Sequence, residues 1–152
     1  MTPRVSVPLT VRDLARADLP SCTWAGTDTH LAYVDQALER VSKGEVDYLA
    51  LCDPADLPLA IGGIDYAARP GAGTLGQLVV HPAVRCCGLG TMFIAAAEER
   101  IRRGLRCAAL SVEDENPRAR ALYERLGYVA CGGELASWTQ EEPDGSRRCL
   151  NV

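Results

Sequence analysis

A chain of 152 residues is long enough to bury a core and is most simply one domain, residues 1–152. It is 47% hydrophobic and 24% charged, a globular composition that excludes a disordered chain. The net charge of −4 argues against a nucleic-acid-binding protein, which usually presents a basic patch.

The N-terminal part of the chain predicts one strand and two helices. Residues 5–10 have the composition of a short strand, and the polar residues 12–21 are helix-prone. A second helix is predicted over residues 29–42, where Gly44 follows the last periodic position. Its apolar positions recur every three or four residues, at Leu31, Val34, Leu38 and Val41.

Three apolar runs of strand length come next, at residues 47–52, 59–66 and 74–80. The turn sequence DPADLP separates the first two runs, which predicts an antiparallel hairpin. No apolar run approaches the roughly 20 residues that span a bilayer, and the N-terminus lacks the apolar region of a secretory signal. A cytoplasmic protein without a membrane partner is therefore expected.

The most periodic segment predicts a helix that Gly104 closes. Its apolar stripe consists of Leu89, Met92, Phe93, Ala96, Ala97 and Ile101. A strand at 107–112, a helix at 116–126 and a terminal hairpin of 128–138 with 147–152 follow. This order of elements predicts an α/β domain with a mixed sheet.

The sequence VRCCGLGT, residues 84–91, lies directly before the periodic helix. A helix N-terminus has unpaired amides and a partial positive charge, and glycines there let a phosphate approach the backbone. The amides of residues 87–91 can therefore hold an anion, and Arg85 can add a positive charge. The pattern is neither the dinucleotide-binding nor the P-loop motif, and a Gly-x-Gly before a helix is by itself more often only a turn.

A second motif, VEDENPRARALYERLGY, occupies residues 112–128. Asn116 before Pro117 is a good helix N-cap, and Tyr123 lies two turns further along the same face. Each feature alone has an ordinary structural explanation.

The seven cysteines give no metal-binding pattern. Their number is odd, no two are spaced C-x-x-C, and only His30 and His81 could assist them. We expect reduced thiols and no metal site.

Together, QLVVHPAVRCCGLGT and LSVEDENPRARALYERLGY resemble the GNAT superfamily of N-acetyltransferases. The first stretch resembles that family's strand and pyrophosphate loop, and the second its strand–Asn–helix–Tyr segment. The resemblance implies an α/β, single-domain GNAT-like fold. Its mixed, mostly antiparallel central sheet is flanked by helices, and its fourth and fifth strands splay apart. It also implies that acetyl-CoA is the cosubstrate and that an amine attacks its acetyl group directly.

The resemblance also assigns coenzyme contacts. Backbone groups of Leu78, Val79 and Val80 would meet the pantetheine arm, and an N–H near Val80 would stabilise the thioester oxygen. Asn116 would cap its helix and touch the same arm. The pyrophosphate would bind main-chain amides, with Arg85 beside it, at Cys86, Cys87, Gly88, Leu89, Gly90 and Thr91.

For catalysis, Tyr123 matches the family's general acid, which protonates the departing thiolate of CoA. The general base is less defined, because Ser111 stands where some relatives carry a glutamate. Glu113 is the preferred substitute, on the same strand face as Ser111. Asp65, acting through water, is the alternative.

The acceptor stays open between a small amine, such as an aminoglycoside-like antibiotic or a polyamine, and a protein N-terminus. A small molecule is preferred, because no basic or acidic run suggests a peptide track. Candidate contacts are Trp24, His30, Tyr33 and Asp35. The closing run SRRCLNV is short for the family, so part of the acceptor wall is either missing or supplied by the partner in a homodimer. The alternative function is an acyl-CoA-binding sensor or regulatory module with little catalysis.

Overall fold

The computed structural model describes residues 3–105, 107–111, 117–130, 140–141 and 147–151. The strands in these ranges are β1 (Thr10–Asp13), β2 (Val46–Cys52), β3 (Pro58–Asp65), β4 (Ala72–Val80), β5 (Cys107–Ser111), β6 (Val129–Ala130), β7 (Gln140–Glu141) and β8 (Arg147–Asn151). The helices are α1 (Asp28–Ser42), α2 (Leu89–Arg102) and α3 (Pro117–Arg125), with 3₁₀ segments at Arg16–Ala25 and Pro82–Val84. The chain forms two compact units, the first made of Met1–Gly63 and Gln77–Ile94 and the second of Ile64–Gly76 and Ala95–Val152.

The first unit arranges its strands in the order β1-β2-β3-β4. β1 is antiparallel to β2, from Thr10 opposite Cys52 to Asp13 opposite Leu49. β2 is buried along almost its whole length, which is typical of a strand covered on both faces and explains its continuous apolar sequence. Val34 of α1 packs in the same core cluster as Tyr48 of β2.

Helix α1 confirms the sequence prediction, because both its ends have local signals. The side chain of Thr27 accepts a hydrogen bond from the His30 amide at 3.3 Å, as an N-cap residue does. At the other end, Gly44 adopts a left-handed φ of 75° and its amide donates to the Val41 carbonyl at 3.0 Å.

Two predictions for the N-terminal segment are wrong. The first strand does not cover residues 5–10, because Thr10 already pairs with the last residue of β2 and earlier residues have no partner on that strand. Val5 is accordingly 83% exposed. The predicted helix at 12–21 is a 3₁₀ segment, Arg16–Ala25, since Arg12 belongs to β1 and Pro20 offers no amide to a helical ladder.

The second unit arranges its strands in the order β4-β5-β8-β6, with β7 paired to β8. β4 and β5 are parallel, from Ala72 opposite Cys107 to Leu75 opposite Leu110. β8 is parallel to both β5 and β6 and antiparallel to β7. Of the predicted terminal hairpin, most of the first arm, residues 131–138, lies outside the described residues. Its described part, β6, is parallel to β8, and β7, just after the predicted arm, is antiparallel to β8.

The predicted fold class, a mixed sheet with flanking helices, is confirmed. The register of β4 with β5 stops at Leu75, although β4 continues to Val80. The predicted splaying of β4 and β5 beyond this point involves residues 112–116, which lie outside the described residues. In the part of the chain that the structure describes, we find no helix long and apolar enough to cross a membrane.

Candidate functional site

The loop after β4 is anchored at His81. The His81 amide donates to the Leu59 carbonyl at 2.7 Å, and its Nδ1 accepts the Ala83 amide at 3.0 Å. The Trp24 ring lies against the imidazole, with ring centroids 5.1 Å apart. These contacts fix where the chain leaves the strand and turns toward α2.

The turn itself uses two left-handed residues, Cys86 with φ 65° and Gly88 with φ 83°. Glycine adopts this conformation readily, whereas a cysteine there needs support from its surroundings. Arg85 folds back on the strand end, where its Nε donates to the Val80 carbonyl at 3.2 Å. Arg85 is exposed, and its predicted role beside a bound pyrophosphate stays a prediction.

Helix α2 begins with unpaired amides. Among the described residues, the amides of Leu89, Gly90 and Thr91 form no backbone hydrogen bond, and Met92 is the first to donate, to the Gly88 carbonyl at 3.1 Å. A Cβ built on Gly88 or Gly90 would meet nothing within 4 Å. The loop therefore presents free N–H groups next to open space, which is the arrangement that holds phosphate groups at helix N-termini.

Strand β4 is irregular just before this loop. Gln77 has φ 55° inside the strand, and a left-handed residue within a strand is a mark of a β-bulge. The bulge follows Leu75, the last residue that pairs with β5. It lies directly before Leu78, Val79 and Val80, the three residues predicted to meet the pantetheine arm.

Five of the seven cysteines are described, and all five are free. Cys86 and Cys87 are exposed, Cys107 is half-buried, and Cys22 and Cys52 are buried. Burial raises the pKa of Cys22 to about 11 and also raises the pKa of Cys52. The two loop thiols are thus the most accessible of the described set.

The predicted general acid, Tyr123, lies on α3 in the second unit. Its ring contacts that of Tyr128 edge to face, at 6.5 Å between centroids, and the Tyr128 amide donates to the Tyr123 carbonyl at 3.0 Å. The Tyr128 phenol in turn donates a hydrogen bond at 3.1 Å to Oε2 of Glu98, a side chain only 8% exposed. Burial raises the pKa of Tyr123, so its phenol keeps its proton at neutral pH.

The candidate bases are only partly described. Glu113 lies outside the described residues, as does Asn116, the predicted cap and pantetheine contact. Asp65 ends β3, and its Oδ1 accepts the amides of Ala67 at 2.8 Å and Ala68 at 3.1 Å. This carboxylate thus organises the turn after β3, and its role as the alternative base stays a prediction.

The candidate acceptor contacts differ in their surroundings. Trp24 lies against His81 beside the end of β4, whereas Tyr33 is 55% exposed. Asp35 forms an exposed ion pair with Arg16. His30 has a buried Nε2 with no hydrogen-bond partner among the residues that the structure describes.

The sequence matches a family model described as the acetyltransferase (GNAT) family over residues 13–128, which include the loop, β4 and Tyr123. The chain belongs to the GNAT acetyltransferase family. This confirms the family that the two sequence motifs indicated.

Individual GNAT relatives agree with this assignment. The chain is similar to a mycothiol acetyltransferase of Salinispora tropica, 38% identical over 87 residues, which are 54% of this chain and 28% of that enzyme. It thus spans less than a third of that relative's length. Among solved structures, an acetyltransferase of Trypanosoma brucei superposes with a TM-score of 0.62 at 21% identity, covering 88% of this chain and 99% of the other.

A third similar protein is AAC(6′)-Iy, solved in complex with the bisubstrate analogue CoA-S-monomethyl-acetylneamine. It gives a TM-score of 0.64 at 16% identity over 89% of this chain and 99% of its own. At these identities the solved structures show a shared GNAT fold.

Sequence reasoning missed two features of this GNAT domain. One is the bulge at Gln77 together with the phenol that binds its side chain, Tyr48. The other is the contact of Tyr128 and Glu98 behind Tyr123. Gly76 was a usable signal for the bulge, because an isolated glycine within a strand pattern often marks one.

Proposed function

We propose that residues 1–152 form an N-acetyltransferase domain that moves the acetyl group of acetyl-CoA to a primary amine by direct attack. The observation that carries this proposal is the set of unpaired amides opening α2 beside two glycines with open space around them. Such amides can form charge-assisted hydrogen bonds to an anion without breaking any hydrogen bond within the protein. The pyrophosphate of CoA fits this donor set, with the amides of residues 86–91 around it and Arg85 next to it.

The strand end supplies the second half of the coenzyme site. Leu78, Val79 and Val80 are half-buried at the end of β4, directly before the loop, and their backbone groups would bind a pantetheine arm as an added strand does. An N–H near Val80 would stabilise the negative charge that develops on the thioester oxygen. Asn116 would contact the same arm.

Proton transfers complete the mechanism. The attacking amine must be neutral, although alkyl amines have pKa values near about 10, so a base such as Glu113 would accept its proton. Tyr123 would donate its phenol proton to the departing thiolate. Its pKa is raised by burial, so the phenol is protonated at neutral pH before the transfer. The complex of AAC(6′)-Iy with a CoA-containing bisubstrate analogue supports a coenzyme of this kind.

The acceptor we favour is a small-molecule amine, with a protein N-terminus as the alternative. Trp24 beside His81 places an aromatic surface at the end of β4, close to where the acetyl group would lie. The names of the mycothiol and AAC(6′)-Iy relatives describe their own substrates and support acetyl transfer in general.

The proposal is tested first by isothermal titration calorimetry with CoA and acetyl-CoA. We expect binding of both, and no heat at high micromolar coenzyme would contradict the proposal. A panel of amines should then release CoA thiol, detected colorimetrically and checked by the mass of the acetylated amine. A reaction without amine corrects for the protein's own cysteines.

A sensor or regulatory module that binds acyl-CoA is the second candidate. It is favoured by Ser111, which replaces a carboxylate of some relatives, and by the use of Asp65 in a turn. Tight acetyl-CoA binding with no turnover on any amine would favour the sensor over the enzyme.

Protection of the loop thiols gives an independent prediction. N-ethylmaleimide should modify Cys86 and Cys87 before Cys22 and Cys52, because the loop thiols are exposed and burial disfavours the reactive thiolates of the other two. Saturating acetyl-CoA, which has no free thiol, should slow modification of the loop pair only. Peptide mass spectrometry over time measures this, and equal rates with and without acetyl-CoA would place the coenzyme elsewhere.

A further inference from the structure

In the first unit, a tyrosine of β2 reaches across a glycine of β3 and contacts a glutamine of β4. Tyr48 of β2 is buried, and its phenol donates to Oε1 of Gln77 on β4 at 2.9 Å. Strands in a sheet lie about 4.7–4.9 Å apart, so the phenol must pass over β3 to reach β4. It passes at Gly63, where an added Cβ would lie 3.1 Å from the tyrosine ring.

This hydrogen bond ends on the residue with the least favourable backbone in the strand. Gln77 has a left-handed φ of 55°, which glycine adopts without strain and other residues adopt only when the surrounding structure holds them. Gln77 itself is exposed, so packing around its side chain does not supply that support. The bond from the buried Tyr48 ties the Gln77 side chain to the core, and burial raises the pKa of Tyr48, so its phenol remains a donor at physiological pH.

The position of the bulge gives this bond a functional consequence. Gln77 comes directly before Leu78, Val79 and Val80, and a bulge sets the direction in which the following strand and its amides point. The same segment ends at His81, whose amide is bonded to Leu59. A change in the Gln77 conformation would therefore turn the backbone groups that the coenzyme's arm needs.

We propose that Tyr48 is a positioning residue for the pantetheine and acetyl end of acetyl-CoA, acting through the left-handed Gln77 across Gly63. This inference rests on the proposed function, since it assumes that residues 78–80 bind that arm. It concerns the arm alone, because the pyrophosphate loop has its own anchors at His81 and Arg85.

The variant Tyr48→Phe tests the proposal with two probes in calorimetry. Acetyl-CoA contains the arm, whereas adenosine 3′-phosphate 5′-diphosphate carries a diphosphate without it. We expect Tyr48→Phe to weaken acetyl-CoA binding about threefold to tenfold, as loss of one neutral hydrogen bond does, and to leave the nucleotide unchanged. Tyr66→Phe, which alters a half-buried tyrosine in the turn after β3, is the matched control and should change neither.

The variant Gln77→Gly decides whether the effect passes through the backbone. Glycine holds a positive φ without a side-chain bond, so Tyr48→Phe should have no further effect on acetyl-CoA binding in the Gln77→Gly background. An equal loss in both backgrounds would overturn the proposal, as would equal weakening of both probes by Tyr48→Phe.

Amide hydrogen exchange in the free protein separates this inference from the proposed function. Tyr48→Phe should speed exchange of the His81 amide, which is bonded to Leu59, and Tyr66→Phe should not. If the unaltered protein binds neither probe, the proposed function fails, while the exchange result still decides whether Tyr48 orders the strand end. Acetyl-CoA binding that survives in Tyr48→Phe with unchanged His81 exchange would overturn the positioning role alone.

Discussion

Replacing Tyr123 by phenylalanine should lower kcat by about 10²–10⁴-fold, the usual contribution of a general acid. The ring contact with Tyr128 does not need the phenol oxygen, so the protein should fold and still bind acetyl-CoA with its original affinity. Steady-state kinetics with an amine acceptor and calorimetry with acetyl-CoA measure the two quantities. The loss should therefore appear in kcat and not in coenzyme binding.

The same Tyr66→Phe control should keep full activity, since Tyr66 lies in the turn after β3. Unchanged turnover in Tyr123→Phe would remove the phenol from the mechanism. A parallel loss of acetyl-CoA binding and turnover would instead indicate a structural role for the residue.

The pH profile gives a further check on Tyr123. A tyrosine has an ordinary pKa of about 10, and burial raises the pKa of Tyr123 because the neutral form is favoured away from water. The donor therefore loses its proton only above pH 10, so kcat/KM should show no fall caused by Tyr123 below that pH. The acidic side of the profile would report the amine and its base.

Replacing Gly90 by alanine should weaken CoA binding without harming the fold. The new methyl group would meet no protein atom within 4 Å, but it would stand where a diphosphate must approach the amides that open α2. Loss of one or two charge-assisted hydrogen bonds corresponds to about a tenfold to a hundredfold rise in Kd. The free energy of unfolding should stay level or rise by up to about 1 kcal/mol, because alanine favours a helix more than glycine does.

Gly104→Ala is the matched control for this second prediction. Gly104 also has open space around its Cβ position, but it lies past the other end of α2, away from the loop. It should leave Kd unchanged in calorimetry, while denaturant unfolding reports stability for both variants. A Gly90→Ala protein that binds CoA as tightly as the unaltered protein would show that the diphosphate does not use this helix start.

Sequence reasoning succeeded where the signals are local. Helix α1 was placed because its cap and its closing glycine lie within a few residues of its ends, and they form the bonds expected of them. The apolar stripe of α2 was mostly right: Leu89, Phe93 and Ile101 are buried, although Met92 is 46% exposed. The spacing of apolar residues along a helix does not by itself determine how much of the helix surface the neighbouring strands cover.

It failed where an element depends on a distant partner. Residues 5–10 have a strand composition, yet the strand begins only at Thr10, since β2 ends at Cys52 and offers no further pairing. The parallel pairing of β6 with β8 likewise depends on strand pairing and not on the composition of Val129 and Ala130. Pairing over a long sequence separation leaves no trace in local composition.

The amino-acid sequence by itself therefore determined the family, the glycine loop and the helix that the loop opens, because these depend on backbone conformations and hydrogen bonds within one or two turns. Only the tertiary structure placed Tyr48 against Gln77, 29 residues apart in the chain, and Glu98 behind Tyr128, 30 residues away. A side chain reaches such a partner only after the strands have paired and the helices have packed. That is why the loop that would hold the diphosphate was visible in the sequence and the bond proposed to aim the thioester was not.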